Sequence, residues 1–411
     1  MIPRECYMRQ IRDFMNRPVI KVLTGMRRSG KSVMLELIRE ELLLRGVVPN
    51  NIVFINLESM RYERLKEYHA LYDEIAERAS KVEGRLYLLL DEIQETSEWE
   101  RAVNSFRVDF DCDIYLTGSN AKLFSGELAT LLSGRYVEIK VYPLGFREYM
   151  AFAETNPEEA GRSEQKHFLS YLQFGGLPGI HQMKWETDRL LLYLQDIYNS
   201  ILLKDVVARN RVRDTALLEK IAVYLMDNIG NTFSAKTISD FLKSQGRRLS
   251  TETVYNYLAA MESACLVHRV ARYDIKGKRL LETQEKYYLS DLGLRHAVMG
   301  YREQDIAGML ENVVFLELLR RHFSVYIGKQ QDAEVDFVAE RNGERLYIQV
   351  CYLLTEENRK REFEPLARIQ DNFEKVVLSM NEMTGRGYEG IRHKNIVEFL
   401  LESSDSCAAE S

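Results

Sequence analysis

The chain has 411 residues, enough for two to four domains and a large buried core. Its 45% hydrophobic and 29% charged content is that of a globular protein, and its 56 basic against 62 acidic side chains give a net charge of −6. That balance excludes a broadly basic nucleic-acid coat, so DNA contact would require a local patch. Five scattered cysteines, Cys6, Cys112, Cys265, Cys351 and Cys407, lack a C-x-x-C pair, which sets aside a zinc site and a disulfide framework. A reducing cytoplasm is the expectation. No apolar run approaches the ~20 residues of a membrane helix, and Met1-Ile2-Pro3-Arg4-Glu5 has no signal-peptide core.

The first strong signal lies at residues 19–45. Val19–Thr24 reads as a buried parallel strand, and a helical pattern opens at Val33. Between them, Gly25-Met26-Arg27-Arg28-Ser29-Gly30-Lys31-Ser32 fits G-x-x-x-x-G-K-[ST]. Two glycines let successive N–H groups close on a phosphate, and the following helix adds its positive end. Gly25, Arg28, Ser29, Gly30, Lys31, Ser32 and Val33 form the candidate nucleotide-binding set. Lys31 is placed to reach the β- and γ-phosphates of ATP, and Ser32 to hold Mg²⁺.

Strands are predicted at Ile52–Leu57, Leu86–Leu90, Asp113–Thr117 and Tyr136–Val141, with helical patterns at about 33–45, 65–82, 98–108 and 126–133. Alternating β and α predicts a parallel three-layer sheet. The apolar run Leu86–Leu90 ends in Asp91-Glu92. Two carboxylates there, paired with the loop, give Asp91 a place on Mg²⁺ and Glu92 the role of orienting and deprotonating water. Thr117-Gly118-Ser119-Asn120 ends the fourth strand, where such sheets place ligand contacts, so Ser119 or Asn120 is a candidate γ-phosphate or water contact. A plain turn is the competing reading.

Beyond Pro143 the patterns turn helical to about residue 230, broken at Gly175-Gly176-Leu177-Pro178-Gly179, a candidate hinge. Helices are then predicted at about 215–228, Ser234–Ser244 and Ser250–Ala264, followed by strands Leu266–Tyr273 and Arg279–Leu289 around Lys276-Gly277-Lys278. Three helices and a ribbon describe a winged helix. Its third helix should present Thr251, Glu252, Thr253, Tyr255 and Asn256. Lys276, Lys278 and Arg279 are the candidate contacts to double-stranded DNA. A rigid protein-contact module competes with that reading.

From about residue 305 a helix, Met309–His322, precedes strands at Val325–Ile327, Val335–Val338 and Arg345–Tyr352, then a helix and the strand Lys375–Ser379. Asp336 sits mid-strand among apolar residues and needs a partner or a metal. Glu317 and Glu334 are the candidates to complete an acidic cluster.

The motif set carries a resemblance. Gly25–Ser32, Asp91-Glu92-Ile93-Gln94, Thr117–Asn120, and Ser133-Gly134-Arg135 running into Tyr142–Tyr149 resemble prokaryotic AAA-superfamily ATPases of the AAA-14 type. Tyr287–Arg295, Glu311–Val314 and Glu334–Phe337 resemble their C-terminal domain of unknown function, which has a restriction-nuclease-like core. The resemblance implies an α/β fold: a P-loop AAA-type parallel sheet sandwich at 1–150, a helical lid at 151–212, a winged helix at 213–290 and a small α/β nuclease-like domain at 291–411. It implies a sensor role for Asn120. It also implies a finger role for Arg135 on a neighbouring subunit's γ-phosphate, against the alternative of a salt bridge, and with it a homo-oligomer. The nuclease pattern departs at its centre. Gln349 stands where an acid should hold Mg²⁺, and Cys351 where a lysine should stand, so cutting is not expected. The implied activity is ATP hydrolysis coupled to DNA or a protein client. A slow nucleotide switch acting on a protein partner is the alternative.

Overall fold

The computed structural model describes residues 2–119, 132, 134–210, 212–246, 249–381 and 387–402. Asn120 and nearly all of the helix expected at 126–133 lie outside the described residues. The chain divides into two compact units, Met1–Val141 with Ser263–Cys265, and the remaining residues from Tyr142 onward.

The first unit carries helix α1 (Glu5–Phe14), strand β1 (Ile20–Thr24), α2 (Lys31–Leu44), β2 (Ile52–Asn56), α3 (Tyr68–Ala79), β3 (Leu86–Asp91), α4 (Trp99–Asp109), β4 (Cys112–Gly118) and β5 (Tyr136–Lys140). The sheet order is β2-β3-β4-β1-β5, with every pair parallel. Strands β1, β3 and β4 are buried on both faces, which is why they read as continuous apolar runs. Alternate residues nevertheless serve different cores. Val22, Leu88, Leu90, Ile114 and Leu116 pack with Ile75, Val103 and Phe106 of α3 and α4. Leu23, Leu89 and Tyr115 pack with Ile11, Met34 and Leu35 of α1 and α2. Each such side chain contributes about 1.5–3 kcal/mol by leaving water.

The second unit opens with helices Phe146–Ala153, Glu164–Phe174 and Thr187–Ser200, the last running into a π-helical stretch, Ile201–Ala208. Helix Thr215–Asp227 is followed by β6 (Thr232–Phe233), helices Ala235–Ser244 and Thr251–Ser263, and strands β7 (Val267–Asp274) and β8 (Arg279–Leu289). Ser234 caps its helix, its hydroxyl accepting the Thr237 N–H at 3.2 Å. After helices Leu292–Met299 and Ile306–Arg320 come β9 (Ser324–Gln330), β10 (Ala333–Arg341), β11 (Glu344–Val350), helix Glu356–Ala367, β12 (Glu374–Ser379), β13 (Arg392–Asn395) and helix Ile396–Leu401. One eight-stranded sheet, β13-β12-β11-β10-β9-β7-β8-β6, runs through the unit. The β7–β8 ribbon and the later strands therefore share a sheet across residue 290, joined where β7 pairs with β9. No helix among the described residues is long and apolar enough to cross a membrane.

Candidate functional site

The loop between β1 and α2 is shaped by its backbone. Gly25 holds φ +144°, and a Cβ there would stand 2.2 Å from the Val141 carbonyl oxygen, so no other residue fits. Arg28 and Gly30 also take positive φ, 68° and 100°, and Gly30 caps α2. The Lys31 side chain is buried and folds back over the loop, donating to the carbonyls of Gly25 and Met26, both at 3.0 Å. The Ser29 hydroxyl is fully buried without a hydrogen-bond partner. A buried orphan hydroxyl costs about 1–3 kcal/mol, and here it sits in a loop of N–H donors suited to an oxyanion. Val33, the last of the candidate set, is 43% exposed on the first turn of α2.

β3 delivers Asp91 and Glu92 to the same edge of the sheet. Asp91 is fully buried and accepts from the Thr117 hydroxyl at 2.5 Å and from the Asn56 amide at 2.9 Å. Burial pushes its carboxyl above the usual range, opposed by hydrogen bonds from Thr117 and Ser32; Glu92 adds to the rise and Lys31 opposes it. Ser32, Lys31, Asp91 and Glu92 are thereby brought together, as the sequence led one to expect. Glu92 takes a left-handed conformation at φ 53°, costing a non-glycine residue about 1–2 kcal/mol. Its N–H donates to the Thr117 hydroxyl at 2.8 Å, and its carboxylate receives the Gln94 amide. The hydroxyl of Ser32 and the carboxylate of Asp91 are hard oxygen donors in mutual contact, a pair that fits Mg²⁺.

Of two further expected residues, one can be placed. Asn120 falls outside the described residues, although Ser119 beside it is fully buried. Arg135 is exposed, and its carbonyl accepts the Ile20 N–H at the start of β1. The loop follows the other end of that strand, roughly 15 Å away at ~3.3 Å per residue. Arg135 is not part of its own chain's loop.

A second cluster lies in the other unit: Asp336 and Glu334 belong to it as expected, joined by Lys286 and Glu311 in place of Glu317. Lys286 of β8 reaches Glu311 at 2.6 Å, Glu334 at 2.8 Å and Asp336 at 3.8 Å, and the Tyr288 hydroxyl donates to Glu311 at 2.7 Å. Glu317, proposed from the sequence for this cluster, instead pairs with Arg321 at 2.8 Å and Arg320 at 3.7 Å. Six residues separate Glu311 from Glu317, which is about 240° around a helix. Burial and the neighbouring Glu311 push Asp336 up to about 8. Burial works against the Lys286 charge, yet the carboxylates hold it above the usual ammonium range. Gln349 spends its amide oxygen on the Asp336 N–H at 3.4 Å, and burial pushes the Cys351 thiol up to about 12.

A family model described as an AAA domain matches residues 17–150, and one described as a domain of unknown function matches residues 165–305. An uncharacterized protein of Haemophilus influenzae is 39% identical over 407 residues, 98% of this chain and 99% of that protein. An uncharacterized protein of Methanocaldococcus jannaschii is 30% identical over 383 residues, 90% of this chain and 84% of that protein. Among solved structures, a Walker-type ATPase of Pyrococcus abyssi aligns with TM-score 0.54 and 17% identity, covering 72% of this chain and 96% of that one. That likeness is one of fold.

Proposed function

We propose, for a chain that belongs to the AAA-14 type of AAA-domain proteins carrying a further domain of unknown function, that ATP is bound on the Gly25–Ser32 loop and hydrolysed there. The observation that supports this most is the convergence of Lys31, Ser32, Asp91 and Glu92 at one edge of a parallel sheet. Ser32 and Asp91 would hold Mg²⁺, which neutralises charge on the β- and γ-phosphates when bound. The loop N–H groups and Lys31 bind the phosphates. Glu92 orients a water and takes its proton. Arg135, remote from its own loop, serves a neighbouring subunit in a homo-oligomer, and Asn120 serves as the sensor.

The nucleotide state is read out by the second unit. Helix Thr251–Ser263 exposes Thr251, Glu252, Tyr255 and Asn256, and Lys276, Lys278 and Arg279 are exposed at the ribbon turn. This pattern supports a winged helix that contacts double-stranded DNA. The opposing reading, a protein partner, is favoured by Asp274 standing 4.0 Å from Arg279 and by exposed Phe241, Tyr255 and Leu280. Residues 291–411 act without cutting nucleic acid, because Gln349 and Cys351 stand where the nuclease pattern has an acid and a lysine, and the Lys286 ammonium from outside that segment already bridges Glu334 and Asp336. A slow switch is the second reading of the ATP site. The hydrogen bond from Gln94 to Glu92 favours it, since that amide occupies one carboxylate oxygen and competes there with a water.

Phosphate release with Mg²⁺, measured with and without duplex DNA, tests these readings together. Turnover lost in Lys31→Ala establishes the site. Turnover that rises in Gln94→Ala identifies the switch. Wild-type turnover that persists in Lys31→Ala removes the proposal.

A further inference from the structure

We infer that Arg4 is a positioning residue for the phosphate loop, holding the Ser29–Gly30 peptide so that the Gly30 N–H faces the phosphate. This rests on the reading of Gly25–Ser32 as the nucleotide site.

Arg4 is the residue before the first turn of α1, and it is 3% exposed. Its Nη1 donates to the Ser29 carbonyl at 2.9 Å, and its guanidinium lies 4.6 Å over the Tyr7 ring. The helix that delivers it is itself fixed on α2. Arg12 grips Glu41 of α2 through two hydrogen bonds, at 3.2 and 3.3 Å. Tyr7, Met8 and Ile11 are buried in one core with Met34, Leu35 and Ile38. The arginine is therefore presented to the loop by α1, an element packed against α2, the helix that the loop opens.

The consequence follows from peptide planarity. In a trans peptide the C=O and the following N–H point in opposite directions. The chain has no cis bonds among its described residues. A Ser29 carbonyl held outward against Arg4 directs the Gly30 N–H inward. Gly30, at φ +100°, has no Cβ to resist rotation of that plane, so the restraint has to come from outside. A guanidinium is suited to supply it, being always charged, and a charged donor binds a carbonyl about twice as strongly as a neutral one.

The test uses the full-length protein and a fluorescent N-methylanthraniloyl ATP analogue with Mg²⁺. Arg4→Ala should bind about 10- to 100-fold more weakly, the loss of one charge-assisted hydrogen bond. Millimolar methylguanidinium should restore most of that affinity, and Arg4→Lys, which keeps a charged donor, should fall in between. The unfolding temperature of nucleotide-free protein is measured alongside. Wild-type affinity in Arg4→Ala overturns the assignment. So does weak binding that neither methylguanidinium nor lysine improves, since that marks a folding defect. A wild type that binds no analogue removes the nucleotide site itself, and Arg4's role with it.

Discussion

A single hydroxyl ties together Asp91 and Glu92 at the end of β3. Thr117 donates to Asp91 and accepts from the Glu92 backbone, so one side chain sets the position of both residues. Replacing Glu92 by glutamine keeps this bonding but removes the proton acceptor. Turnover should fall ~10²- to 10⁴-fold with ATP affinity nearly unchanged, as measured by phosphate release and analogue titration. Equal turnover in wild type and Glu92→Gln would take the base role from Glu92. The carboxylates were legible because an apolar run ending in two acids has few other uses. Thr117 as their organiser was not. Its contact depends on β4 lying beside β3, with Leu90 opposite Leu116, and that register is invisible in a linear pattern. Arg4 was missed for the same reason, since its partner lies 25 residues away.

At the scale of elements, β1, β3 and β4 were readable because strands buried on both faces leave uninterrupted apolar runs, whereas β2 alternates buried and half-buried residues. Boundaries moved by a few residues; the helix predicted at 65–82 spans Tyr68–Ala79. The π-helical stretch Ile201–Ala208 left no signal, because its hydrogen-bond spacing changes without a change in composition. The ribbon β7–β8 carries the prediction proper to this scale. Changing Lys276, Lys278 and Arg279 together to alanine should lower the slope of log affinity against log salt for duplex DNA by roughly 0.9 per lost contact. The drop should be smaller at Arg279, which already faces Asp274. An unchanged slope, or no DNA binding at low salt, would assign the ribbon to a protein partner.

Across the whole molecule, buried charge joins segments far apart in sequence. Lys286 links β8, helix Ile306–Arg320 and β10. Lys286→Met leaves buried carboxylates without their cation, and urea unfolding should show a loss of about 3–5 kcal/mol. A loss below about 1 kcal/mol would mean that the carboxylates simply take up protons. Asp291 makes a pH-dependent link. Its carboxyl accepts the Gly176 N–H at 2.7 Å, tying the glycine pair of the candidate hinge to the start of helix Leu292–Met299. Burial raises it from 3.8 to about 6. The folded chain thus holds a proton that the unfolded chain releases between those values. The stability this supplies is complete below about pH 4 and is lost as pH rises through about 6, about 3 kcal/mol in all. Unfolding of wild type and Asp291→Asn across about pH 4–7 should diverge in that window; parallel curves would refute it.

The pairing of β7 with β9 has a practical outcome. A chain shortened after Met299 would leave β7 with a bare row of amides and carbonyls along one side, and a chain begun at Gly300 would do the same to β9. Each fragment would carry an adhesive seam, and the two should clump when made apart yet recombine when made together.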